Sequence, residues 1–198
     1  KVLLLEKGER LPKDGSTLDV ETVAKRKRFI DDDPWVDRMG KVIVPQERSN
    51  LGGKTKWYGA ALLRFAPHEF DADPAHQCLP WPIGYDDLEP YYEAAERLLG
   101  VRHFPIEPDF QRIANGLRSK DPSWKKHPLP VGLSPDILSF PQEAKHFDAF
   151  ASPRGLKADG ESRFLDRIAN HPNLEVITGK HVVALRSSPG NATRVSEV

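Results

Sequence analysis

The stretch Leu51-Gly52-Gly53-Lys54-Thr55-Lys56-Trp57-Tyr58-Gly59-Ala60-Ala61, taken with Val2-Leu3-Leu4-Leu5-Glu6 upstream of it, decides the fold class. Paired glycines, a small hydroxyl residue and a closing Gly-Ala-Ala leave the main chain bare enough to lie against a flat or phosphorylated ligand. Glycine admits positive φ and close approach, and successive free N–H groups can form an anion-binding concavity. A plain Gly-Gly turn would use the same letters. The order of the segments separates the two readings. An apolar run ending in an acid comes first, then the glycine segment, then Trp81-Pro82-Ile83-Gly84-Tyr85-Asp86-Asp87-Leu88-Glu89-Pro90-Tyr91-Tyr92.

Composition narrows the classes around that order. The 198 residues can fill one large domain or parts of two, and 38% hydrophobic with 29% charged residues suits a water-exposed globular chain. Twenty-nine basic and 29 acidic residues cancel, so no net field favours nucleic acid or an anionic membrane. No apolar run nears the ~20 residues that span a bilayer, and no signal peptide is visible. The single cysteine, Cys78, excludes an intrachain disulfide framework and reads as a buried structural thiol. The chain begins inside an apolar run and ends on Arg194-Val195-Ser196-Glu197-Val198, again strand-like, with Met39 as its one methionine. These features read as an internal fragment of a longer chain.

Periodicity and punctuation place the elements. Residues 1–6 read as a buried core strand, with Gly8 opening the turn after it. Residues 9–40 are polar and irregular, and Lys25-Arg26-Lys27-Arg28 before Asp31-Asp32-Asp33 reads as a self-neutralising, solvated run. Residues 41–45 form a short strand stopped by Pro45. The clearest helix covers 85–100: Leu88, Tyr91, Tyr92, Ala95, Leu98 and Leu99 share one face, Pro90 suits the first turn, and Gly100 caps the end. Residues 103–160, with many prolines and few periodic apolar positions, read as a loop-rich lid or substrate-domain segment. A short helix over 161–170 should bury Phe164, Leu165, Ile168 and Ala169. Strands follow at 174–178, roughly 181–185, and from the Ser188-Pro189-Gly190-Asn191 turn toward Val198.

In dinucleotide-binding α/β folds an acidic residue at a strand tip accepts hydrogen bonds from the adenosine ribose, and Glu6 has that character. A solvent-facing carboxylate is the alternative. The partner signal, a G-x-G-x-x-G turn about 20 residues earlier, is absent, since no G-x-G occurs among the 14 glycines.

The strand ending in Glu6, the later Gly-Gly segment and the WP-x-x-Y-x-D-L-E-P-Y-Y stretch together resemble the glucose–methanol–choline (GMC) family of FAD-dependent oxidoreductases. The resemblance covers about three-quarters of the chain and is weakest over 103–150. It implies an α/β fold: parts of an FAD-binding Rossmann-like domain at 1–66 and 151–198, with a substrate-domain or lid insertion at 67–150. It implies cofactor contacts at Glu6, Gly52, Gly53, Thr55, Tyr58, Gly59 and Ala60. Through Asn173-Leu174-Glu175-Val176-Ile177-Thr178-Gly179-Lys180-His181-Val182, it places the Val182 backbone at the adenine. Some relatives attach the flavin through a histidine where this chain has Trp57, so FAD is expected to be held noncovalently. Lys54 and Tyr58 depart from the usual small residue and asparagine, which looks more like the sugar-oxidising branch. Lys54 and Lys56 either approach the pyrophosphate or are solvated.

No residue matches the family's catalytic histidine, and the dispersed histidines His68, His76 and His103 lack ligand spacing; neither a catalytic residue nor a metal site is assigned. The implied activity is oxidation of a CH–OH group of a small-molecule alcohol or sugar by hydride transfer to FAD, with an unidentified electron acceptor. Two alternatives stay open: a noncatalytic truncated or split subunit that requires another chain, and a nicotinamide-binding α/β domain.

Overall fold

The computed structural model describes residues 1–197 of the chain. It is a mixed α/β structure. Its strands, in chain order, are β1 (Val2–Leu5), β2 (Trp35–Val36), β3 (Val42–Ile43), β4 (Arg102–His103), β5 (Pro130–Val131), β6 (Leu174–Ile177), β7 (Arg186–Ser188) and β8 (Asn191–Glu197). The α-helices of more than one turn are α1 (Tyr85–Leu99), α2 (Pro108–Lys120) and α3 (Pro141–Lys145). The chain divides into two compact units, residues 1–58 with 137–198 and residues 59–136.

The first unit is organised by parallel pairing of β1 with β6, Val2 opposite Leu174 through Leu5 opposite Ile177. Parallel pairing of strands so distant in sequence is the α/β signature expected of an apolar run that ends in an acid. The ladder continues past the strands: Glu6 N–H donates to Ile177 O at 2.9 Å, Lys180 N–H to Glu6 O at 2.9 Å and Gly179 N–H to Gly8 O at 3.1 Å. Beyond this tip the chain meets the approach to the glycine segment. Glu9 bridges Asn50 in parallel, and Leu51 N–H donates to Glu9 O at 3.2 Å. Gly8 makes this approach possible, because a Cβ there would lie 1.8 Å from the Ser49 carbonyl oxygen.

A small core lies behind the crossing. Trp57, Val23 and Ala151 are buried together, with Leu11, Phe29 and Phe150 packed on them. The indole N–H of Trp57 donates to Asn50 Oδ1 at 2.9 Å, and the buried Thr17 hydroxyl donates to Ala151 O at 2.8 Å. Both polar groups are thereby satisfied inside an apolar cluster, where an unmade bond would cost about 1–3 kcal/mol.

The second unit is built on α1. Asp87 accepts the Gly84 N–H at 2.8 Å, acids occupy the first turn, and Gly100 closes the helix in the left-handed conformation at φ 67°. Phe70 is its buried centre, ringed by Phe65, Trp81 and Tyr85 with centroids 5.5–6.3 Å away, and Tyr85 leads on to Tyr92 at 6.0 Å. Arg64 locks the far face. Its Nε and Nη2 donate to the two oxygens of Glu96, both at 2.7 Å, and Nη1 to the Tyr85 hydroxyl at 3.1 Å. The antiparallel pair β4–β5 continues through Ala61, which bridges Val131.

Several expectations require correction. Val2 and Leu3 are 59% and 53% exposed, so the first half of β1 is not buried, while Leu4 and Leu5 are partly covered. Pro90 sits in the second turn of α1, not the first. Tyr91 and Ala95 are exposed, and only Leu88, Tyr92, Leu98 and Leu99 of the expected face are partly covered. The 103–160 region contains α2, opened by Pro108 at its first position, with Phe110, Ile113 and Leu117 at helical spacing. Residues 161–165 form a π-helical turn that continues into Asp166–Ile168, and Phe164, Ile168 and Ala169 face outward because the buried side of this turn is taken by Glu161. Residues 181–185 are irregular, and the strand begins at Arg186. The hairpin through Pro189-Gly190 forms as expected, while its last position, Val198, lies outside the described residues. Cys78 is exposed, in a tight turn closed by the Asp73–Cys78 bridge. The acids at 31–33 are not neutralised by the 25–28 run; Lys7 bridges Asp31 and Asp33 instead.

The Gly8 contact gives a sharp test. Gly8→Ala should lower the unfolding free energy by about 3 kcal/mol, since the obstructing atom is backbone and cannot swing aside. Urea unfolding of Gly8→Ala beside Gly116→Ala, whose position in α2 opens onto empty space without a positive φ, measures the contrast.

Candidate functional site

Residues 52–58 fold around the chain's barest stretch. Gly52 and Gly53 both take positive φ, 88° and 53°, and begin a 3-10 turn at Gly53–Lys56. The two glycines serve different ends. A Cβ on Gly52 would lie 3.0 Å from Lys56 Cε and 3.2 Å from the Glu161 nitrogen, so this glycine permits internal packing. A Cβ on Gly53 would meet nothing nearer than the Arg48 carbonyl oxygen at 4.0 Å, so its outer face is open.

The other side of the turn is held by residues 157–161. Gly160 N–H donates to Thr55 Oγ1 at 2.9 Å, and that hydroxyl donates back to Gly52 O. Lys56 is buried between Asp159 at 3.1 Å and Glu161 at 2.9 Å, and Glu161 also receives Arg10. The Tyr58 hydroxyl donates to Ala158 O at 2.8 Å. Lys157 Nζ donates to the carbonyls of Tyr58, Phe147 and Phe150 at 2.6–2.7 Å. Thr55, Lys56 and Tyr58 thus each meet a partner across the gap.

This environment shifts the titrating groups. Burial, reinforced by the Asp159 charge, pushes the Tyr58 phenol up to about 12. Burial pushes the Lys157 ammonium down to about 8, opposed by the charges of Asp148 and Asp159. Asp31 is held down at about 2 by hydrogen bonds from Lys7 and Ser49.

Glu6 stands at the carboxyl end of β1, where open parallel sheets bind ligands. Its Oε1 accepts the Gly8 N–H at 2.8 Å, which fixes the carboxylate and leaves acceptor capacity on it. Beside this tip is a crevice of about 390 Å³ lined by Gly8, Arg10, Phe29, Asp31, Ser49 and Asn50 among others. Arg48, next to it in sequence, lays its guanidinium 4.2 Å from the Trp57 ring centre, and its Nη1 is buried without a hydrogen-bond partner among the described residues.

Of the residues singled out from sequence, Gly52, Gly53, Thr55 and Tyr58 come together in one layer, and Glu6 lies at the strand tip that leads to it. Gly59 and Ala60 begin the second unit, where Ala60 is fully buried at φ 60° and its carbonyl accepts Gly132 N–H at 2.9 Å. Val182 is 42% exposed in irregular chain shortly after Lys180, whose N–H donates to Glu6 O. Lys56 is neither solvated nor free to meet a phosphate, because two carboxylates enclose it; Lys54 is exposed and pairs with Glu47 at 3.1 Å. The sequence reading passed over Lys157, Asp159 and Glu161. Their one local signal is alternation of charged with small residues through Lys157-Ala158-Asp159-Gly160-Glu161, complementary to Lys54-Thr55-Lys56.

No family model matches the chain. The whole chain aligns with 6'''-hydroxyparomomycin C oxidase of Streptomyces lividus at 32% identity, covering 39% of that protein. Paromamine 6'-oxidase of Streptomyces fradiae is 27% identical over 96% of the chain and 38% of its own length. A shorter match, 29% identical over 70 residues, is to 2-methyl-1,2-propanediol dehydrogenase of Mycolicibacterium austroafricanum, covering 34% of this chain and 13% of that one. The chain thus spans about two fifths of the length of the two oxidases it matches. Both long matches carry oxidase names, and they run through the glycine segment and its 157–161 partner. No helix among the described residues is long and apolar enough to cross a membrane.

Two predictions follow from this geometry. Gly52→Ala should destabilise the protein more than Gly53→Ala, although both positions have positive φ, because only Gly52 is walled in; urea midpoints of the two variants decide it. Tyr58→Phe should cost about 1 kcal/mol at neutral pH through loss of the Ala158 bond. A phenol raised above its ordinary 10.0 in the folded state contributes stability below pH 10 that is lost as pH climbs toward 12. Tyr58→Phe should remove that share of the alkaline loss, measured by unfolding at successive pH values.

Proposed function

We propose that this chain is part of a GMC-type FAD-dependent oxidoreductase that oxidises a primary or secondary hydroxyl of an amino sugar or related polyol. The observation that carries the reading is the alignment of the whole chain with about two fifths of 6'''-hydroxyparomomycin C oxidase, which includes the glycine segment and the strand ending in Glu6. The residues suit the flavin cofactor in three respects. Glu6 is a fixed carboxylate at a parallel-strand tip, suited to the hydroxyls of a ribose. Gly53 offers bare main chain with an open face. Arg48 holds a buried guanidinium nitrogen in want of an acceptor, which an anionic group such as a diphosphate supplies.

In this reading Glu6 and the main chain of Gly53 and Gly59 hold FAD, with the backbone near Val182 at its adenine end, while Gly52 lets the turn pack against Lys56 and Glu161. Thr55 and Tyr58 act indirectly: both hydroxyls are engaged with the 157–161 segment, so they shape the glycine turn from behind. Trp57 lies in the core with its N–H on Asn50, and it leaves the cofactor without a covalent anchor at that position. FAD, when bound, supplies the hydride acceptor; the protein supplies position and a dry surround. The proton of the substrate hydroxyl is assigned to no residue of this chain.

The test is an anaerobic titration of the complete flavoprotein. Addition of paromamine or a comparable amino sugar bearing a primary alcohol should bleach the flavin absorbance, and an artificial quinone should restore it. Bleaching by reduced nicotinamide, with every alcohol and sugar inert, overturns the assignment. Acid precipitation of the same protein should release the yellow chromophore to the supernatant, and chromophore retained on the polypeptide contradicts the noncovalent reading.

A further inference from the structure

Lys157 is the most thoroughly enclosed long cation of the chain's described residues, 1% exposed, and the sequence motifs give it no role. Its ammonium faces three main-chain carbonyls at hydrogen-bond distance: Tyr58 at the end of the glycine turn, and Phe147 and Phe150 in the bend after α3. An ammonium has three N–H bonds, so this arrangement matches donors to acceptors one for one, and a neutral amine would leave a carbonyl short. Burying a charge is costly unless it is fully hydrogen-bonded. The same two stretches are tied a second time in the reverse sense, since the Tyr58 side chain donates to the Ala158 carbonyl. The bend that supplies the other two acceptors is itself fixed, because buried Glu143 accepts from Arg154 at 2.9 Å and from the Ser152 hydroxyl.

We propose that Lys157 is the positioning residue of the Tyr58–Gly59 peptide. By fixing the Tyr58 carbonyl it sets the direction of the Gly59 N–H and holds that donor in the orientation that serves the flavin. The geometry of the peptide makes the coupling direct. The bond is trans, so the N–H of Gly59 points to the side opposite the carbonyl and away from Lys157. Rotation of this plane would turn the donor out of place, and glycine alone offers little resistance to rotation. The charged groups around the ammonium are Asp148 and Asp159, which favour its charged form, and Lys56, which opposes it; the Tyr58 ring lies 5.4 Å from Nζ. The inference rests on the flavoprotein reading above for the identity of what the donor serves, but not for the positioning itself.

The experiment uses the complete protein, wild type and Lys157→Met, with Lys157→Gln as a second variant that keeps two donors if the first does not fold. Backbone amide nitrogen relaxation in the flavin-free protein reports the positioning, and the rate of FAD release from the loaded protein reports its use. In the variants, the order parameters at residues 58–60 should fall from the rigid range at ~0.85 to below ~0.6, while the β1–β6 amides keep theirs. FAD release should accelerate by about tenfold, the loss of a charge-assisted bond. Unchanged order at 58–60 overturns the proposal, as does a uniform fall that includes residues 2–5 and 174–177, which marks a merely structural lysine. Unchanged FAD release from a variant whose 58–60 backbone has loosened also overturns it. In the wild type, the Lys157 ammonium should give a slowly exchanging nitrogen-correlated proton signal near neutral pH, and its absence overturns the clasp without any substitution. Failure of the wild type to bind flavin at all would instead end the flavoprotein reading, with the relaxation contrast still deciding whether Lys157 positions the peptide.

Discussion

The clasp between residues 55–58 and 157–161 is the constraint on which the first unit depends. A stretch with two glycines at positive φ has almost no side-chain volume with which to define its own shape. Apolar packing anchors its far end, where Trp57 enters the core with Val23 and Ala151, but it has nothing to hold at Gly52 and Gly53. Here the shape comes from outside, through Gly160 on Thr55, Asp159 and Glu161 on Lys56, and Ala158 and Lys157 on Tyr58. The glycine turn is a cast, and the 157–161 segment is its mould.

The other fixed points of the unit follow from that crossing. Segment 157–161 leads through a short helical stretch ending at Ile168 to β6, which pairs with β1, and β1 leads through Gly8 back to the approach of the glycine turn at Ser49 and Asn50. The path forms a closed loop of contacts: strand tip, glycine turn, mould, strand. Arg10 strengthens it from the strand side by reaching Glu161, so one carboxylate joins the exit of β1, the turn at Lys56 and the mould. The second unit uses different means. Its centre is a ring of aromatics around Phe70, locked by the two-pronged Arg64–Glu96 pair, and it needs no buried lysine.

How much of this could be read from the letters depended on whether the cause was local. The strand ending at Glu6, the helix from Tyr85 to its Gly100 cap and the Pro189-Gly190 hairpin rest on short-range rules of periodicity, capping and turn chemistry, and all three formed. Pro108 also obeys a local rule, as a first-turn proline, but dense prolines nearby masked the helix it starts. The exposure of Val2 and Leu3 was not legible, since an apolar run states what would bury well and not which neighbours are present to do so. Lys157 was invisible for a deeper reason. Its acceptors are carbonyls 99, 10 and 7 residues away, and a backbone carbonyl carries no sequence signature. Lys56 was misread for the same reason, because its two carboxylates lie more than a hundred positions downstream.

Why buried ions should shape this turn is answered by what the alternatives would do. A buried ion pair is seldom more stable than well-packed apolar residues of equal volume, so stability alone does not account for Lys56, Asp159, Glu161 and Lys157 lying together. Apolar contact, however, is indifferent to rotation of a peptide plane, whereas a hydrogen bond to a carbonyl is directional. A glycine-rich turn has its freedom concentrated in such rotations. Three donors from one ammonium, meeting carbonyls from two separate loops, remove that freedom at Tyr58 as no methyl group could. The ion cluster therefore specifies orientation at Lys56 and Tyr58 that the bare glycines before them cannot set for themselves. The 47–50 segment holds the start of the same turn, through Asn50 on Gly53 and Trp57, and the place of a Gly53 side chain stays open.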